Sequence, residues 1–184
     1  MLVVRLFAFL LVFLVQNQVK NEETGLFDLQ GKPAMFPPVQ AVEGTVIWFF
    51  SPECPLCENY TLSIRELQEK YRGSFRFVGI CPLEQISANQ IEGFLQKYKL
   101  KLEVYRDPNK QFTQKLGARV TPEVFVINKK GKTVYSGRID NWAYAPGKTR
   151  QLVSSHELKE ILEQLKKNQN LNYSHQPAIG CFIE

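Results

Sequence analysis

The chain has little cysteine, four residues in 184. That is too few for a small domain scaffolded by disulfides, and enough for redox or metal chemistry. It has no basic run: 23 Lys and Arg stand against 18 Asp and Glu, and the net charge of +5 is spread along the chain. Such a diffuse excess serves solubility, so nucleic acid is not an expected partner. No period repeats, and the 10 prolines and 11 glycines are scattered, which excludes solenoid, collagen-like and low-complexity architectures. No apolar run is long enough to cross a bilayer. The run at residues 6–15, at 1.5 Å per residue, falls well short of a hydrocarbon core of about 30 Å. What is present is a globular composition. Thirteen Phe, seven Tyr and two Trp exclude a disordered chain and suffice for one core.

Arg5, then the apolar run 6–15, then polar residues from Gln16 onward, has the form of a secretory signal. A buried N-terminal helix would show a polar face, and this run has none. Export to a periplasmic or other extracytoplasmic compartment is therefore expected. Val15-Gln16-Asn17 lacks the small residues of a cleavage site, so membrane anchoring through residues 2–15 is the other outcome. No cysteine precedes Cys54, which leaves no N-terminal thiol for lipid attachment.

The segments expected are a signal or anchor at 1–16, a polar extension at 17–38, one α/β domain at 39–168 and a tail at 169–184 carrying Cys181. Residues 45–50 (TVIWFF) form a continuous apolar run too short for a helix, hence a buried strand. Leu56, Tyr60, Ile64, Leu67 and Tyr71 recur every three or four residues, one face of a helix that Gly73 closes. A second strand follows at 75–80, and Ile91, Phe94, Leu95 and Tyr98 line a second helix. Next come a strand at 102–105, a helix at 109–116, and strands at 123–127 and 132–136 joined as a hairpin by the turn 128–131. Ser154 with Glu157 predicts a capping box, opening a helix faced by Leu158, Ile161, Leu162 and Leu165. This order implies a three-layer α/β/α fold with a central mixed sheet of about five strands. The first two strands must be parallel, because a helix connects them.

Cys54-Pro55-Leu56-Cys57 stands where the first strand ends and the first helix begins. Unpaired N–H groups and the positive end of the helix dipole stabilise a thiolate on the first cysteine there. The second lies one turn on, on the same face, and can attack a mixed disulfide formed at the first. Proline suits the first helical turn, where its missing N–H costs nothing. A zinc site would need two more ligands at suitable spacing, and a purely structural bridge across four residues removes little chain entropy. A second element is Val120-Thr121-Pro122-Glu123, where a proline stands immediately before an apolar strand.

On these residues the chain resembles the thioredoxin superfamily, and within it the exported TlpA/ResA-like thiol-disulfide oxidoreductases and related redoxin-domain proteins. The resemblance covers roughly residues 35–167 and implies a thioredoxin-like fold for the domain. It implies that Pro122 is cis and packs beside Cys54 and Cys57, and that the Thr121 backbone binds the extended segment of a partner carrying the target cysteine. Cys54 is then the attacking thiol, Cys57 the resolving one, and the redox-active disulfide replaces any cofactor. The implied partners are cysteine-containing exported proteins or a membrane electron donor. The sequence departs from the family pattern at Trp48, where thioredoxins keep a buried acid, and at Tyr60, where ResA-like reductases often keep a glutamate. Glu123 or Glu53 is left as a proton shuttle, though an exposed glutamate is the plainer reading of either.

Cys81 ends the second strand and should lie near the C-x-x-C edge of the sheet; a small buried hydrophobe is its bland reading. Cys181, on a tail with little else to hold it, is expected either to bridge to Cys81 or to exchange with the Cys54–Cys57 pair. Two other functions use the same thiols. A copper-binding metallochaperone would hold Cu(I) through Cys54, Cys57 and His175, and a thiol peroxidase would use Ser51, three residues before Cys54. Haem attachment is excluded, since Glu58 follows Cys57. His156 reads as solvated. The segment 138–142 (RIDNW) either contacts a partner or packs across the sheet edge.

Overall fold

The computed structural model describes residues 24–36, 43–172 and 174–184. The apolar run 6–15 lies outside them, and no helix among the described residues is long and apolar enough to cross a membrane. The centre of the fold is β3 (Gly44–Phe49), with β1 (Leu26–Phe27) and β2 (Pro33–Ala34) preceding it. After β3 come α1 (Pro55–Lys70), β4 (Phe75–Cys81), α2 (Ala88–Lys97), β5 (Glu103–Arg106) and α3 (Gln111–Leu116). β6 (Val120–Thr121), β7 (Glu123–Asn128), β8 (Thr133–Gly137), β9 (Ala143–Ala145) and β10 (Lys148–Thr149) follow. The chain closes with α4 (Glu157–Lys166), β11 (His175–Gln176) and β12 (Cys181–Phe182).

The sheet order is β11-β8-β7-β3-β4-β5-β1-β2. β3, β4 and β5 run parallel, and β7 is antiparallel to both β3 and β8. Strand alternation divides the core. Val46 and Trp48 of β3 face one layer with Tyr60, Ile64, Ile91, Phe94, Leu158 and Ile161 of α1, α2 and α4. Ile47 and Phe49 face the other with Phe112 of α3 and Phe125 of β7. All six residues of β3 are buried, as a strand covered on both faces requires.

The mixed three-layer architecture is as expected, but the sheet has eight strands rather than about five. The additions are two-residue strands at its edges: β1 and β2 from the N-terminal extension, β11 from the C-terminal tail. The capping box predicted at Ser154 does not form. His156 is the N-cap of α4 without a side-chain cap, and its own N–H is taken by Glu160. Ser154 is engaged elsewhere, its hydroxyl accepting from Asn141 Nδ2 at 2.9 Å. Glu157 is held by Arg138, with Nε at 2.8 Å. A capping box is present instead at Ser87 and Gln90 of α2.

Candidate active site

The parallel connection β3-α1 carries Cys54 and Cys57 to the end of the sheet. Cys54 is the N-cap residue of α1 and Pro55 occupies its first turn, so the unpaired amides of that turn surround the first cysteine. Phe50 N–H still bonds the Ile80 carbonyl at 3.0 Å, which keeps the end of the β3–β4 pair, and hence Cys81, against the motif. The Thr121–Pro122 peptide bond is cis, and the Thr121 carbonyl oxygen lies 3.0 Å from Cys54 Sγ.

Cys54 is joined in a disulfide to Cys181, their Cα atoms 6.2 Å apart, within the usual span for such a bond. Cys181 arrives on β12, which pairs antiparallel with β6, Cys181 opposite Thr121 and Phe182 opposite Val120. Ile183 N–H extends that pairing to the Arg119 carbonyl at 3.0 Å. Of the two fates expected for Cys181, the bridge to Cys81 is not formed: Cys81 is free and buried.

Cys57 is free and fully buried. Its Sγ accepts the Ser51 N–H at 3.4 Å. Burial pushes the Cys57 thiol up to about 12, partly offset by that N–H and by the Thr121 side chain, while Cys81 adds to the rise. Cys81 is likewise pushed up to about 11 by burial, against the lowering influence of the Leu83 backbone and Arg106. Both are thiols at neutral pH.

Neither glutamate named as a proton shuttle is among the groups acting on Cys57. Glu53 is exposed, with Gln90 Nε2 at 3.4 Å. Glu123 is only 5% exposed, contrary to its expected exposure, because its carboxylate accepts the Arg119 and Val120 N–H groups at 2.8 and 3.4 Å. Burial holds its pKa above the ordinary carboxylate range, against those two donors and the nearby His175. Trp48 is buried and its indole nitrogen has no hydrogen-bond partner. Tyr60 is tied into the segment 138–142: its hydroxyl donates to Asp140 Oδ1 at 2.7 Å and its ring meets Trp142 edge-on. Burial and the Asp140 carboxylate together drive the Tyr60 pKa upward. Arg138, Asp140 and Asn141 all spend their side chains within the domain, which is the packing role for this segment.

His175 is not brought to the cysteine pair. Its Nδ1 lies 2.8 Å from the Ser136 hydroxyl, and among the described residues no three His, Cys, Asp or Glu side chains gather as a metal site. Ser51 is buried, but its hydroxyl accepts the Glu53 N–H at 3.2 Å and its amide faces Cys57. His156 is exposed.

A family model described as Redoxin matches residues 27–143. The chain belongs to that family. No curated protein matches it by sequence. Its fold is that of thioredoxin-like proteins of known structure. A hypothetical protein of Sinorhizobium meliloti 1021 has a TM-score of 0.74 at 20% identity, over 86% of this chain and 88% of that one. A secreted Mycobacterium tuberculosis disulfide oxidoreductase homologous to Escherichia coli DsbE has a TM-score of 0.53 at 16% identity, over 77% and 92%. StoA of Bacillus subtilis has a TM-score of 0.50 at 17% identity, over 77% and 94%. In this redoxin domain, Cys54, Cys57, Thr121 and Pro122 stand out in the sequence by their motifs, whereas Cys181 had two expected fates. The signal that the tail reaches Thr121 is a short extended stretch, Cys181-Phe182-Ile183, next to a glycine.

Proposed function

We propose that this redoxin is a thiol-disulfide oxidoreductase that exchanges disulfides with cysteine-containing exported proteins or with a membrane electron donor. The observation that carries the reading is Cys54 itself. It sits at a helix N-terminus beside the Thr121 carbonyl, already linked to a cysteine on an extended segment, with a free Cys57 one turn along the helix. In the reducing direction the Cys54 thiolate attacks a partner disulfide and expels one partner thiolate, leaving a mixed disulfide. Cys57, deprotonated, then attacks Cys54 Sγ, and the second partner sulfur leaves as the electron pair passes to it. Thr121 and Pro122 position the partner backbone. No cofactor is required, since the dithiol stores both electrons. The charged-then-apolar N-terminus supports an extracytoplasmic site of action, where partner cysteines are oxidised.

Reduction of a peptide disulfide by the full chain, in a Cys181→Ser background, tests the reading. Cys54→Ser is expected to fall to the uncatalysed rate, and Cys57→Ser to accumulate a mixed disulfide at Cys54. A Cys54→Ser protein as fast as its parent would overturn it.

A further inference from the structure

Two separate attachments hold the C-terminal segment. The first is β11, which lies parallel on β8, with Ser136 N–H donating to the Ser174 carbonyl at 2.9 Å and Arg138 N–H to the Gln176 carbonyl at 3.0 Å. Gly137, at φ 127°, makes that approach possible, since a Cβ there would collide with the Gln176 backbone. The second is β12 on β6, two residues long, with Cys181 and Phe182 exposed and the latter 78% so. Gly180 makes this second approach possible: a Cβ there would run into the Thr121 carbonyl. Between the attachments lie residues 177–180, an arm of about 13 Å when extended. Each attachment is two residues long, and the second carries a cysteine bonded to the attacking thiol.

Resting on the oxidoreductase reading, we infer that the tail is a tethered substrate: Gly180-Cys181-Phe182 occupies the peptide edge of Thr121, and Cys181 is a third redox thiol exchanging with Cys57 for Cys54. The exchange balances without an outside oxidant. Cys57 loses its proton to solvent and its thiolate attacks Cys54 Sγ. The Cys54–Cys181 bond breaks as Cys54–Cys57 forms, and the electron pair leaves on Cys181 Sγ, which takes a proton from water. One disulfide is present before and after. Cys54 is 1% exposed with the tail in place, so an external partner must displace the tail. Because the tail is tied nearby, its local concentration reaches about the millimolar range. The partner class follows from the same register: an extended segment, antiparallel to Thr121, with glycine immediately before its cysteine.

The test uses the full-length chain in glutathione buffers, with acid quench, alkylation and non-reducing peptide mapping. Cys57→Ser is expected to hold the Cys54–Cys181 link, Cys181→Ser only the Cys54–Cys57 link, and the parent both in exchange. Cys57→Ala repeats the first arm if the buried serine disturbs folding. Gly180→Val, whose Cβ would push the tail off the Thr121 carbonyl, is expected to lower the ratio of tail-bridged to free Cys181 by about fivefold, the effect of losing one β12–β6 hydrogen bond. Cys181 freely alkylated in oxidised Cys57→Ser protein, or a Gly180→Val bridge as abundant as the parent's, would overturn the inference. A reversible Cys54–Cys57 couple in the Cys181→Ser chain would then leave the oxidoreductase reading standing. Loss of that couple would remove both.

Discussion

In the proposed exchange, the step that depends most on pH is attack by Cys57. Burial holds its thiol at about 12, so only a small fraction is thiolate near neutrality, and the thiolate alone attacks a disulfide. Well below that pKa the thiolate fraction rises with pH. Conversion of the Cys54–Cys181 link to Cys54–Cys57 is therefore expected to accelerate by about tenfold per pH unit between roughly pH 7 and 9. Acid-quenched mapping follows it, and a flat profile would show that attack by Cys57 is not the slow step. Tyr60 gives a second test at this scale. Removing its hydroxyl takes a donor from the buried Asp140, which keeps the Trp142 N–H at 2.8 Å. Tyr60→Phe is expected to cost about 1–3 kcal/mol of stability in urea; no change in midpoint would mean that Asp140 finds water instead. The cysteine pair and Thr121-Pro122 were legible because strand, helix and proline signals surround them. The pairing of Cys181 was not, since spacing does not decide which thiol an aperiodic tail reaches. Nor was the burial of Glu123, whose carboxylate answers backbone donors that only the folded turn presents.

At the scale of elements, periodicity located α1, α2 and α4, because each buries one apolar face against the sheet. It did not settle how α4 begins. Ser154 and Glu157 have capping-box spacing, but a tertiary partner claimed each first, Asn141 for the serine and Arg138 for the glutamate. Glu157 thereby ties the end of β8 to α4. Burial alone would raise its pKa, yet the Arg138 hydrogen bond and charge, with Ser155, hold it below the ordinary carboxylate range. With the folded pKa lowered, its stabilisation is present above the unfolded pKa and is lost as pH falls through the folded one. Glu157→Gln is therefore expected to flatten the acid limb of the stability profile below about pH 4.3, the unfolded value for glutamate. Urea midpoints from neutral to acid pH check this; an unchanged acid limb would assign the limb to other carboxylates.

For the whole molecule, the core strands were legible and the sheet edges were not. β3, β4 and β7 are strands of six or seven residues rich in apolar side chains, whereas β1, β2 and β11 are two residues each and carry no alternation to read. Their pairing is decided by the strand already there, which offers a free edge. The same logic places β12 on Thr121, over the cysteine that the whole fold delivers to that edge.

The most direct measurement is the reduction potential of the Cys54–Cys57 pair in the full-length Cys181→Ser chain, equilibrated in glutathione or dithiothreitol buffers and read by alkylation. A reversible two-electron transition with one midpoint is expected. A value near about −270 mV would make it a reductant and one near about −120 mV an oxidant. Absence of any reversible transition between Cys54 and Cys57 in folded protein would contradict the central claim that they form a working dithiol.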